Sequence, residues 1–287
     1  MTAYALALAS AALYGAGDFC GGFASRRTGA LVVVAVSQTA GLLLLCLLLP
    51  WLPAQPIRAD LLWGALAGLG GGAGVGLLYR ALAIGAMGVV APTTAVCAVG
   101  LPVLVAIAFG ERPSPSALTG IALALVAIVL VSRAPDGVNT PSAARGPAPR
   151  RALPSGVGLA LLSGVAIAVF FLALARTRPA AGLWPLCSAR VTSAGIFAPL
   201  AAIGREPLRM PGGTLALVLG AGLLDMLANV FYLLATRGGP LTGIVTLSSL
   251  YPASTVLLAR LVLGERLGAW QAVGVGCALI AVALIVV

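Results

Sequence analysis

An aspartate and an asparagine interrupt a long apolar run in the stretch GLLDMLANVFY, Gly222 to Tyr232. Asp225 and Asn229 are four residues apart and Tyr232 follows three later, so on a helix all three share one face. A charged carboxylate held in mid-bilayer costs about 2.5–3.5 kcal/mol on insertion scales, and lipid offers nothing in return. Asp225 must therefore face protein or a wet cavity. Arg190, inside the run LCSARVTSAG, carries the same cost with opposite sign and is the natural counter-charge. Two readings of such a pair stand side by side. It could be a permanent structural ion pair, or it could open to meet a charged substrate or a proton. Asp18, with Tyr14 one turn earlier on the same face, is the other internal acid; it could line a cavity, or pair with Arg26 or Arg27 at the interface. Tyr79, Tyr232 and Tyr251 are candidates for the wall of an amphipathic pocket, with interfacial or packing aromatics as the alternative.

No catalytic constellation accompanies these residues. The chain has no His, no HExxH, no GxSxG elbow and no Walker loop. Neither an enzyme nor a bound cofactor or metal is expected, and any transport must be driven by gradients. The five cysteines form no CxxC and lie within apolar runs, as small packing residues do.

The elements that must position these groups are membrane spans. The chain has 287 residues, of which 61% are hydrophobic and 8% charged, and its mean hydropathy is +1.11. A soluble domain carries roughly 25% charged residues. The net charge of +10 comes from arginines scattered over short connectors, a topology signal rather than a nucleic-acid surface. Spans of about 20 apolar residues can be placed at 3–25, 30–52, 60–84, 87–109, 114–132, 155–176, 182–203, 213–236, 241–263 and 268–287. This predicts an all-α integral membrane protein of about ten transmembrane helices. A Pro-, Ala-, Gly- and Arg-rich linker at 134–153 separates the halves 1–133 and 154–287. In the third span, Gly64, Gly68, Gly72 and Gly76 form a small-residue ribbon suited to close helix approach.

The halves repeat. FGERPSPSALTG at Phe109 matches LGERLGAWQAVG at Leu263, so Gly110-Glu111-Arg112 aligns with Gly264-Glu265-Arg266. Gln38 stands where the second half has Arg190; Gly72, Gly76 and Tyr79 stand where it has Asp225, Asn229 and Tyr232. Five spans per repeat would insert the second half upside down, giving two inverted five-helix repeats.

These twin Gly-Glu-Arg turns, the five-plus-five spans, the central linker and the opening ALYGAGDFCGGFASRR together resemble the EamA family of the drug/metabolite transporter superfamily. The resemblance implies a multi-pass transporter in the plasma membrane that exports amino acids or other small metabolites. Its partners would be a small-molecule substrate and the lipid bilayer, with protons as a coupling ion and no nucleic acid. A proton-coupled multidrug exporter, favoured by a neutral aromatic-lined cavity, is the alternative; a non-transporting structural or sensory membrane protein is the third reading. The arginine distribution would put both termini outside, whereas the resemblance implies both in the cytoplasm.

Overall fold

The computed structural model describes residues 2–25, 27–52, 54–84, 87–131, 156–203, 210, 212–254, 257–258 and 268–286. Helices α1 (Thr2–Ser25), α2 (Ala30–Leu48), α3 (Arg58–Ile84), α4 (Met87–Ala108) and α5 (Pro115–Val131) make the first half. Helices α6 (Val157–Ala175), α7 (Trp184–Ile203), α8 (Gly212–Thr236), α9 (Leu241–Ser248) and α10 (Ala269–Val286) make the second. No strand occurs among the described residues. Seven of the helices are long and apolar enough to cross a bilayer, and α4 and α5 hold shorter apolar stretches, Thr93–Ala108 and Pro115–Leu130. Apolar side chains surround each helix on all sides, because both lipid and neighbouring helices are apolar. Outward-facing Leu47, Leu62, Leu104 and Leu279 are accordingly left exposed. The linker at 134–153 lies outside the described residues, as do Arg26 and Glu265.

The ninth span departs from expectation. A continuous helix over 241–263 was expected, but α9 stops at Ser248, residues 249–250 form a turn, and helix resumes at 251–254. Pro252 supplies the reason. It has no N–H to give to the carbonyl of Ser248, and its ring crowds that same carbonyl. The chain tightens there, with Leu250 N–H donating to Leu247 O at 3.2 Å and Ala253 N–H to Leu250 O at 3.0 Å.

The strongest helix pairings cross between the halves. They join α1 to α8, α3 to α6, α3 to α7, α2 to α8, α4 to α6 and α1 to α9, while α2 packs on α7, α4 on α9 and α5 on α10. Exchange α1–α5 for α6–α10 and each pairing becomes another in the set or itself. Individual contacts match in the same way. Ser10 Oγ donates to Ala228 O at 2.8 Å between α1 and α8, and Ser163 Oγ donates to Gly74 O at 2.7 Å between α6 and α3. Gly222 on α8 abuts the backbone of Ser37, and Gly68 on α3 abuts the backbone of Ala189. Carried along α3 and α8, this correspondence sets Gly71 opposite Asp225, one residue from the Gly72 of the sequence alignment.

The Gly-Glu-Arg turn after α4 has a local explanation. Gly110 adopts a φ of +99°, which disfavours any side chain. Its N–H donates to Ile107 O at 3.0 Å, and Glu111 N–H donates to Ala106 O at 3.0 Å. This is the double closure of a Schellman motif. The turn aims Glu111 at the start of α9, where its carboxylate accepts from Thr242 Oγ1 at 2.9 Å and from Thr242 N–H at 3.2 Å. A carboxylate there satisfies orphan donors and complements the helix dipole. Glu111→Ala should therefore lower stability by about 1 kcal/mol, read as a lower melting midpoint of the detergent-solubilised protein. Thr242→Val should cost a similar amount, and combining the two should cost no more than the larger single loss. Additive losses would show that the two residues act separately.

Candidate functional site

Six helices and the segment after the α9 break surround a cavity at the middle of the bundle. Its volume open to water-sized molecules is about 70 Å³, several times the roughly 10–15 Å³ that one water needs. The first half contributes Tyr14 and Asp18 from α1, Gln38 from α2, and the Gly68, Gly71 and Gly72 backbone of α3. The second half contributes Phe170 and Phe171 from α6, Arg190 and Ser193 from α7, Asp225 and Asn229 from α8, and Tyr251.

Glycine makes the crossing tight enough to bring these groups together. A Cβ on Gly64 or Gly68 would strike the backbone of Pro185 or Ala189 on α7, and a Cβ on Gly72 would meet Phe197 Cε2 at 2.7 Å. The ribbon thus packs α3 against α7, as its spacing suggested, while Gly68 and Gly72 also border the cavity. Absent side chains on α3 are what leave room for the polar ones on α7 and α8.

A continuous hydrogen-bonded chain runs through the wall. Arg190 Nη2 donates to Asp225 Oδ2 in an ion pair, and Arg190 Nη1 donates to Gln38 Oε1. Arg190 Nε points at Met226 Sδ, 3.3 Å away. Gln38 Oε1 also accepts from Ser193 Oγ at 2.8 Å. On the other side, Asn229 Nδ2 donates to Asp225 Oδ2 at 3.2 Å and to Asp225 O at 2.6 Å. Asn229 Oδ1 accepts from Tyr14 OH at 2.7 Å. The side chain of Arg190 is 7% exposed and that of Asp225 is 29% exposed, so the carboxylate is the more open member of a pair that lines the cavity together.

Asp18 differs from the rest. It lines the same cavity, yet its carboxylate joins no ion pair among the described residues. The charged group that acts on it through space is Asp225, of the same sign. With Arg190 matched by Asp225, Asp18 is the cavity's acid with no counter-charge among the described residues. The cavity's remaining walls are mostly apolar, with Val75, Leu78, Ile167 and Leu186 beside the aromatic rings. Tyr14 stands edge-on to Phe171 at 6.4 Å and to Tyr251 at 6.5 Å between ring centres.

Tyr232 and Tyr79 do not reach this wall. Tyr232 is fully buried, donates from its OH to Phe171 O at 3.1 Å, and packs its ring 4.7 Å from that of Phe171. Two helical turns separate it from Asp225, about 10 Å along the axis, which carries it past the end of the cavity. Tyr79 is buried against Gly21 of α1. Tyr251, the third tyrosine offered for the pocket wall, does line the cavity. Gln38 took a part that sequence reasoning did not assign to it, and its alignment with Arg190 was the available signal. No group of three or more His, Cys, Asp or Glu that could hold a metal occurs among the described residues.

An all-helical bundle of apolar spans closing on a polar cavity is a multi-pass membrane protein of transporter type. The sequence matches the EamA-like transporter family over residues 1–133 and again over 154–287. The chain belongs to that family. It is also similar in fold to a solved structure described as "Crystal structure of protein", with a TM-score of 0.73 and 20% sequence identity, covering 98% of this chain and 95% of the other. No curated protein matches it.

Proposed function

We propose that this protein is a secondary transporter that exports small amine-bearing metabolites such as amino acids across the plasma membrane, by alternating access between two inverted five-helix halves. The observation that carries the reading is the cavity itself. Both halves build it, and it holds one carboxylate, Asp18, with no counter-charge among the described residues. Arg190 is already committed to Asp225 and Gln38, so it is not offered to a substrate carboxylate. An ammonium group beside Asp18, with its apolar body against Tyr14, Phe171 and Tyr251, would complete the electrostatics. The exchange symmetry of the helix pairings supports a pseudo-two-fold bundle of two five-helix halves, which can rock one half against the other around a fixed site. The odd number of helices per half is what favours inversion.

The aromatic wall also favours a second reading, proton-coupled efflux of lipophilic cations. Asp18 would then alternate between proton and substrate, with Asp225, Tyr14, Tyr79 and Tyr251 as the ionisable groups around it. Counterflow in proteoliposomes separates the readings. Radiolabelled amino acids, simple amines, aromatic cations and organic acids are tested with and without a pH gradient. Exchange of amine-bearing compounds is expected, and Asp18→Asn should slow it by about tenfold or more, the weight of one charge-assisted hydrogen bond. Exchange confined to organic acids, and indifferent to Asp18→Asn, would overturn the substrate assignment. Absence of exchange for every compound would overturn the transporter reading.

A further inference from the structure

A second cavity lies away from the first, at one end of the bundle, and nothing in the transport reading uses it. It opens among the start of α3, the ends of α4, α6 and α8, and the start of α9, with a volume of about 490 Å³. Its depth is apolar: Leu66, Val105, Val169 and Leu172 line it. Val169 stands seven residues before Arg176 on α6 and its continuation, so the groove runs about 10 Å into the bilayer. At its mouth the character changes. The Arg176 guanidinium sits 5.3 Å from the ring centre of Phe109 and 5.9 Å from that of Trp63. Both rings are exposed, Phe109 at 75% and Trp63 at 36%.

Arg176 has no carboxylate partner among the described residues. The two acids at this end are engaged elsewhere. Asp60 is bound by Arg178, with Arg178 Nη2 donating at 2.8 Å, and Glu111, which borders the groove, caps Thr242. Arg58, Arg112 and Arg237 lie at this same end of the bundle without lining the groove, so among the described residues this end is net positive. An apolar groove open to the bilayer must be filled by something apolar, and here it ends in a stacked, unmatched cation at headgroup level.

We propose that this groove binds one anionic phospholipid, with an acyl chain along α3 and α6 and its phosphate on Arg176. Ring faces attract the guanidinium without taking up its N–H donors, which stay available for a phosphate. The occupant is a lipid rather than a free anion because the groove's depth is apolar. This inference is independent of the transport reading, since none of its residues lines the central cavity.

The test is native mass spectrometry of the intact, detergent-solubilised protein. Phosphatidylglycerol, phosphatidylcholine with the same acyl chains, glycerol phosphate and inorganic phosphate are titrated separately. One phosphatidylglycerol should be retained about tenfold more tightly than phosphatidylcholine. Arg176→Gln should abolish that preference with the melting midpoint unchanged, whereas Arg112→Gln at the same face should keep it. Leu172→Trp, which fills the groove and leaves Arg176 in place, should remove the bound lipid. Equal retention of the two lipids, or a preference that survives Arg176→Gln, would overturn the proposal. Retention undiminished by Leu172→Trp would reduce the site to a diffuse surface charge, and saturation by either soluble phosphate would show a free-anion site; each of these also overturns it.

Discussion

Asp225→Asn is expected to destabilise the protein by about 3 kcal/mol or more, because it leaves the buried Arg190 guanidinium without a counter-charge. Gln38 and Met226 would remain beside it, but neither carries charge. Adding Arg190→Gln should restore most of the loss, since it gives α7 the side-chain type that α2 already presents at Gln38 and removes the stranded cation. Thermal melting of the three variants in detergent measures this directly. Transport by the double variant then decides between the two readings of the ion pair. If the pair only holds helices together, the rescued protein should exchange substrate at the wild-type rate with an unchanged pH profile. If Asp225 takes part in the cycle through its cavity-facing oxygen, stability should return while exchange does not. A single Asp225→Asn variant as stable as wild type would contradict the pairing itself.

The second large effect is steric. Gly68→Ala and Gly222→Ala each place a methyl against helix backbone, at Ala189 and Ser37 respectively, where no rotamer change can relieve it. Each should cost about 3 kcal/mol, the upper end for overpacking, and much of the protein should fail to reach the membrane in folded form. Gly100→Ala and Gly195→Ala are the controls, because nothing lies within 4 Å of a Cβ at either position. In those two places replacing glycine by alanine should be neutral or slightly stabilising, from reduced freedom in the unfolded chain. Recovery of all four variants in equal yield would show that the α3–α7 and α8–α2 crossings are looser than their backbones indicate.

Much of this was readable from residue types because a bilayer narrows the options. A run of apolar residues has few choices but to span, and a charge inside it has few choices but to find its opposite. Arg190 and Asp225 were joined on that ground alone. The cavity's boundaries were less legible. Asp225, Asn229 and Tyr232 share a face by spacing, yet Tyr232 is fully buried against Phe171. Helical periodicity gives direction around the axis and says nothing of how far a cavity extends along it. That length depends on where neighbouring helices converge. The α9 break was partly visible in Pro252, but that it brings Tyr251 to the cavity follows from the bundle and not from the run in which it lies. The depth of the Gly68 and Gly222 crossings likewise rests on which backbone stands opposite, and sequence identifies only that approach is permitted.

The ties at the α3-start end of the bundle bear on how the two halves can move. Arg178 of the second half binds Asp60 of the first through its backbone N–H at 3.0 Å, Nε at 3.1 Å and Nη2 at 2.8 Å. Gln55 N–H donates to Ala180 O at 2.7 Å, and Glu111 of the first half grips Thr242 of the second. Hydrogen bonds to a charged group contribute about 1.5–3 kcal/mol each. Parting the halves at this end would break all of these bonds together, whereas a rotation pivoting on them would leave every one intact. In the alternating-access cycle proposed above, the arrangement would act as a latch when the halves swing one way and as a hinge pin when they swing the other.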